Sequence, residues 1–370
     1  MSIELSMLLV AILASLASSI VGVFLVLRKM SMMTDAISHT VLLGIVLAFM
    51  VVGDLSNPLL ILGATAMGVI TVILVELLVK SKKTSEDAAT GVVFPLLFAV
   101  AIIIISLEFR GVHLDIDSVL LGNLEFVYFD QIVINGMKMG PKVFYVLLAV
   151  FALNFTFFAV FYKELKIVSF DPKLAAVLGI SPIIIHYSLM VLVSLTAVTS
   201  FDAVGSVVVI ALMVGPAITA LLFTKNLLKT VLLSMSIGIF NSVGGFLIAY
   251  LFDLRTSGVI AGFTLLVFLL ALLLNPKNGV IALILRRRRQ KIEFSLVALL
   301  NHLENHQISN ENRTSRLALH ATFSGSSNPN LLINTALKKG YIVVKEDYMH
   351  ITELGQAFYL DKTKEYEFEL

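Results

Sequence analysis

Long apolar runs with few charges inside them fill the first three quarters of the chain. Nine are long enough to cross roughly 30 Å of hydrocarbon as helices rising about 1.5 Å per residue. They lie at 7–27, 36–52, 58–79, 91–107, 143–162, 183–199, 204–223, 230–250 and 258–275. Several are short and carry Gly or Pro, the pattern of tilted or broken helices that line a cavity. The run 204–223, with Gly205, Gly215 and Pro216, shows it most clearly. A re-entrant pair is the alternative there, which leaves the count at eight to nine. After Arg289 the pattern becomes that of a small globular domain. Helices are expected near 292–305, 311–320 and 328–339, then strands Tyr341–Lys345 and Tyr348–Thr352 around a Glu346–Asp347 turn, with a helix restarting near Glu353. The expected fold is an all-α polytopic membrane protein of eight to nine transmembrane helices over 1–280. A small α+β winged-helix-like domain follows over 281–370.

Composition agrees with that picture. Of 370 residues 58% are hydrophobic and 14% charged, and the mean hydropathy is +0.96, more apolar surface than a soluble core absorbs. No cysteine is present, so disulfides and thiolate metal sites are excluded. MSIELSMLLV has no basic leader and runs directly into the first span, which does not read as a signal peptide.

Placement of charge orients the spans. Arg28 and Lys29, Lys80 to Lys83, Lys163 to Lys173, Lys225 and Lys229, and Lys277 with Arg286 to Arg289 all fall on one side of a nine-span arrangement. That side is expected to be the cytoplasm, with the N-terminus outside and the C-terminus cytoplasmic. The opposite loops, Gly53–Asn57, Glu108–Lys142, Ser200–Ala203 and Phe252–Ser257, carry mostly carboxylates, Glu125 and Asp202 among them. Such a vestibule draws cations, although any one of these residues is as well explained as a solvated loop side chain.

Asp35 and His39, in RKMSMMTDAISHTVLLG from Arg28 to Gly44, carry the candidate chemistry. Four residues apart, they share a helical face and can reach one ligand. Ionisable groups at membrane depth are costly unless paired or wet, and a carboxylate with an imidazole is a partial ligand set for a divalent transition metal. The plainer reading makes Asp35 a helix N-terminal residue and His39 an interhelical hydrogen-bonding group. A second segment, KELKIVSFDPKLAAVLGISP from Lys163, sets Asp171 as an N-cap before Pro172, with Gly179 as a stop. The short helix between them, with Lys173, Leu174, Ala175, Ala176 and Leu178, suits either a groove on a soluble partner or the membrane interface. His302 and His306 repeat the four-residue spacing, but two solvated histidines on an exposed helix are the commoner outcome. From Ile292 onward there are 7 Lys and Arg against 10 Asp and Glu, so no basic footprint for nucleic acid is present.

Five motifs in order resemble the permease subunits of metal-uptake ABC transporters, the manganese/zinc/iron class. They are DAISHTVLLG (Asp35–Gly44), VLLGNLEFV (Val119–Val127), FYKELKIVSFDPKLAAVLGI (Phe161–Ile180), FDAVGSVVVIALMVGPAITALLFT (Phe201–Thr224) and LRTSGVIAG (Leu254–Gly262). The proline usual in the first motif is Leu43 here. The resemblance implies a passive permease in a bacterial cell membrane, with no cofactor held permanently and a manganese, zinc or iron ion as substrate. The implied partners are an ABC ATPase subunit seated on the Asp171–Gly179 helix, an extracellular metal-binding protein and a second permease protomer, identical or not. It also implies that Asp35 and His39 contact metal. There is no G-x-x-x-x-G-K-S/T, so the chain is not expected to hydrolyse ATP. Two other readings stand at this point: a membrane-anchored metal-responsive regulator signalling through the tail, and a proton-driven secondary transporter.

Overall fold

The structure is a computed structural model describing residues 2–54, 57–108, 124–134, 137–276, 279–308, 329–345 and 348–367. The chain forms two compact units, Met1–Leu272 and Leu273–Leu370.

The first unit is helical because lipid leaves the backbone no other partner than itself. Its helices are α1 (Ile3–Leu27), α2 (Ser31–Val52), α3 (Leu59–Lys80), α4 (Glu86–Glu108), α5 (Lys142–Val160), α6 (Tyr162–Phe170), α7 (Pro172–Val177), α8 (Pro182–Val204), α9 (Ser206–Phe223), α10 (Leu227–Phe252) and α11 (Thr256–Leu274). Among the described residues nine of the chain's helices are long and apolar enough to cross a membrane: all of these except α6 and α7. The run 204–223 is one helix, not a re-entrant pair.

Helix α1 is the hub, packed against α5, α8, α9 and α10, while α2 packs on α3 and α4. Apolar surface does little to join helices in a solvent as oily as their side chains, so close backbone approach at small residues matters more. A Cβ on Gly22 would stand 1.8 Å from the carbonyl oxygen of Met213, so α1 and α9 touch there backbone to backbone. One on Gly44 would meet the Gly63 carbonyl at 2.5 Å, where α2 crosses α3. Hydroxyls join the same seams: Ser242 Oγ donates to the Ala11 carbonyl at 3.2 Å, and Asn154 Nδ2 to Ala17 at 3.1 Å. Gly22→Ala is therefore expected to force α1 from α9 at a cost of at least about 1–3 kcal/mol. It should show as a lower unfolding midpoint in detergent.

Two expectations about loops are corrected. Ser200–Ala203 is not a loop but the end of α8, whose backbone bonding continues until Gly205 N–H donates to Phe201 at 2.9 Å. The chain turns at Gly205 instead, at φ 84° and ψ 161°, a conformation that glycine enters without a Cβ clash. The segment Glu108–Lys142 is structured in its latter half. A 3-10 helix (Leu124–Phe129) leads to antiparallel strands β1 (Gln131–Ile134) and β2 (Met137–Pro141). Leu124 and Val127 are buried. Glu125, expected to face a vestibule, accepts a hydrogen bond from Thr256 N–H at 3.1 Å and so caps the start of α11. Residues 119–123 of the second motif lie outside the described residues.

The second unit contains α12 (Val280–Ile308), α13 (Pro329–Lys338), strands β3 (Ile342–Lys345) and β4 (Tyr348–Ile351), and α14 (Glu353–Glu367). The strands pair antiparallel, Ile342 opposite Ile351. Leu296, Leu299, Leu300 and Leu303 recur at helical spacing on α12 and bury against Leu332, Ile333, Ala336, Ile342 and Met349. Each Leu, Ile or Met among them contributes about 1.5–3 kcal/mol when fully buried. The arginine run and the expected 292–305 helix form one helix, without a break at Arg289. The helix expected over 311–320 lies outside the described residues, so the winged-helix reading of this unit is an expectation and no more.

Candidate metal-contacting face and coupling segment

Helix α2 starts at Ser31, five residues earlier than the hydropathy edge, because the turn into it is tight. Lys29 takes φ 62° and Met30 N–H donates back to the Leu25 carbonyl at 2.9 Å. Asp35 therefore lies inside the helix, about 6 Å along its axis from the first residue. His39 Nε2 stands 3.4 Å from Asp35 Oδ1, and the two side chains are 29% and 38% exposed. The spacing argument thus holds in three dimensions. Phe94 of α4 stacks on the imidazole at 5.4 Å between ring centroids, and Phe98 meets it edge-on at 6.0 Å. These rings hold the histidine's plane while leaving its outer edge open. Ser38 and Thr40, beside the pair, return their hydroxyls to carbonyls of their own helix at 2.8 and 3.0 Å. They are spent on the helix and offer little to a ligand. Thr40 is also the acceptor for Thr71 Oγ1 of α3 at 2.8 Å.

A metal needs more ligands than this face supplies. Among the described residues no group of three or more His, Asp, Glu or Cys comes together. A carboxylate and an imidazole are the right donors for manganese, zinc or iron but fill at most half of a tetrahedron. Both side chains are partly exposed in a single copy of this unit.

The segment after α5 folds as two short helices. In α7 the Asp171 carboxylate accepts from Lys173 N–H at 3.1 Å and Leu174 N–H at 3.0 Å, with Pro172 at the first position. Gly179 at φ 81° closes it, with Gly179 N–H donating to Ala176 and Ile180 N–H to Ala175. Ala175 is buried against the bundle, while Lys173 and Ala176 are exposed. Leu174, Val177 and Leu178 stand 49%, 83% and 58% exposed. Three open apolar side chains on a capped helix suit a groove on a soluble partner or the membrane interface, the two readings the sequence left open. Helix α6, which precedes α7, was not among the elements expected from the sequence.

Gly205 forms the joint between α8 and α9, as described. A Cβ on Gly215 would meet Thr264 Cγ2 of α11 at 2.4 Å. Pro216, buried within α9, deprives the Leu212 carbonyl of its usual donor. Helix α9 packs against α2, where Thr34 Oγ1, beside Asp35, donates to Met213 Sδ at 3.5 Å. His302 lies on α12 of the second unit.

One cluster escaped the sequence reading. Glu76 of α3 and His186 of α8 meet with Nε2 2.5 Å from Oε1, and Tyr187 OH donates to the other carboxylate oxygen at 2.8 Å. Arg28, which caps α1, reaches His186 Nδ1 at 3.1 Å and Ser169 Oγ of α6 at 3.3 Å. A guanidinium only donates, so Nδ1 accepts in this contact. Burial pushes the Arg28 guanidinium down to about 10, which leaves it charged at neutral pH. Lys80 Nζ lies 3.8 Å from Glu76 as well. Two ionisable residues inside apolar runs, Glu76 and His186, were the signal that should have flagged this group.

A model of the ABC 3 transport family matches residues 2–275. The manganese transport system membrane protein MntD of Bacillus subtilis is 44% identical over 286 residues, covering 77% of this chain and 97% of the relative. The zinc transport system membrane protein TroD of Treponema pallidum is 38% identical over 337 residues, 90% of this chain and 92% of the relative. The latter match is too long to stop at the first unit, so TroD shares part of the second. Among solved structures, PsaBC from Streptococcus pneumoniae in complex with Fab aligns with a TM-score of 0.63 and 29% identity, over 75% of this chain and 94% of that one. Matches of this extent leave the regulator reading without support.

Proposed function

The chain belongs to the ABC 3 transport family, and on that premise we propose that it is the membrane permease of an ATP-driven importer of divalent transition-metal ions, manganese first, with zinc and iron as the alternatives. The observation that carries the proposal is the paired carboxylate and imidazole at 3.4 Å on an open face of α2. Asp35 supplies charge and His39 supplies the nitrogen that discriminates a transition metal from calcium or magnesium. A second permease protomer, identical or a sister chain, brings the same face and completes the shell. Isologous pairing does this with no new residue type. A sparse shell split between two chains also releases its ion when they part, as transport requires. Gly205, Gly215 and Pro216 are the joint about which the pathway helices move.

The motor is a separate ABC ATPase subunit that seats on Asp171–Gly179, its groove taking Leu174, Val177 and Leu178. An extracellular metal-binding protein delivers the ion to the opposite mouth. The membrane is the bacterial cell membrane, with the coupling helix and the C-terminus on the cytoplasmic side. Nucleic acid is not among the partners.

Membrane vesicles carrying the permease and its ATPase, loaded with ATP, are expected to accumulate manganese, with zinc and iron measured alongside. Uptake stops on ATP depletion and persists with a protonophore. Uptake that survives ATP depletion and collapses with the protonophore would instead identify a proton-driven carrier.

A further inference from the structure

Resting on the reading that α7 seats in an ATPase, we propose that Arg28, His186 and Glu76 form a transmission link that carries movement of the coupling segment to the metal-contacting helix. Side-chain contacts run unbroken from Ser169 to Glu76, and the α3 helix itself carries the rest of the way to Thr71. Ser169 lies in the last turn of α6, two residues before the Asp171 cap of α7, and its hydroxyl accepts from Arg28 Nε at 3.3 Å. Arg28 closes α1 and opens the turn into α2, seven residues before Asp35. From Arg28 the contacts pass to His186 of α8 at 3.1 Å and on to Glu76 of α3, which Tyr187 also holds. One helical turn and a residue earlier on α3, Thr71 donates to Thr40 at 2.8 Å, and Thr40 is the neighbour of His39. Displacement of α6 and α7 therefore reaches α2 twice, through its first turn and through the hydroxyl pair beside the histidine.

The alternative use of this cluster, as a second cation site, is closed by its own charges. Arg28 and Lys80 flank the Glu76–His186 pair, and a divalent cation would meet two positive neighbours. A simple structural bridge would also not need partners on four helices, one of them adjoining the docking knob. Partly buried charge networks respond sharply to the loss of one member, since the remainder is left unpaired.

The test is made on the permease–ATPase complex reconstituted in liposomes, with metal uptake and ATP hydrolysis measured together. Arg28→Ala and Glu76→Gln are expected to retain bound ATPase and hydrolysis within about twofold, while metal moved per ATP falls about tenfold, the size of ordinary coupling between sites. Ser169→Ala and Tyr187→Phe, which remove one hydroxyl each and leave the fold intact, should lower the same ratio by about twofold or more. Uptake and hydrolysis that fall in proportion, or do not fall, overturn the proposal. Should the charge variants fail to reach the membrane, an unchanged ratio in both hydroxyl variants overturns it equally. Failure of the docking reading is separate, because it would show as ATPase still bound after the α7 knob is destroyed.

Discussion

Asp35→Ala and His39→Ala each reduce metal uptake to background, a loss of at least about 100-fold, while the permease still binds its ATPase. The expectation follows from how few ligands there are. Each copy offers one carboxylate and one imidazole on α2, with no third candidate close by among the described residues. Losing either in both copies removes half of the shell, and even partners one layer out from a metal change its affinity by about 10–100-fold. Assembly survives because the pair is half-exposed and lies far in sequence from Leu174, Val177 and Leu178. The fold survives because His39 leans on Phe94 and Phe98 without sharing a buried hydrogen bond with them. His39→Gln, which keeps size and polarity, should separate ligation from packing: it should retain ATPase binding and still lose most of the uptake.

The second large effect is expected at α7. Val177→Asp places a carboxylate at the most exposed point of the apolar knob, a side chain 83% open in the isolated chain. It removes little packing from the free permease, since the side chain is exposed in the isolated chain. In an apolar groove the unpaired charge costs several kcal/mol, enough to weaken ATPase binding about 100-fold or more. Co-purification of the ATPase should be lost, and metal uptake with it, while the amount of permease in the membrane is unchanged. A permease that still brings down its ATPase would mean that α7 is not the seat.

The spans were legible because hydropathy is a one-dimensional signal, and lipid forces each long apolar run to satisfy its own backbone. The Asp35–His39 pairing was legible for a similar reason, since four-residue spacing on one helix needs no tertiary information. The N-cap at Asp171 and the stop at Gly179 are local chemistry too. What escaped depended on distance along the chain. Arg28 and His186 are 158 residues apart, and nothing in either segment names the other. The beginning of α2 was misjudged because polar residues Ser31, Thr34 and Asp35 lower hydropathy without breaking the helix. Ser200 and Asp202 misled in the same way at the end of α8, where a polar stretch reads as a loop but remains helical to Gly205. In the segment after α4, the Asn135-Gly136 pair between two short β-branched and apolar runs was a hairpin signal passed over.

TroD, the relative that extends into the second unit, is named for zinc, and MntD, which matches 77% of the chain, is named for manganese. The second unit's core is self-contained, from Leu296 to Met349.

The most direct measurement is X-ray absorption at the metal edge of the purified permease–ATPase complex loaded with manganese or zinc. Nitrogen scattering from imidazole in the wild type, absent in His39→Ala, is the result that makes His39 a ligand of the ion. The same nitrogen shell in both proteins, with uptake undiminished in the variant, would contradict it.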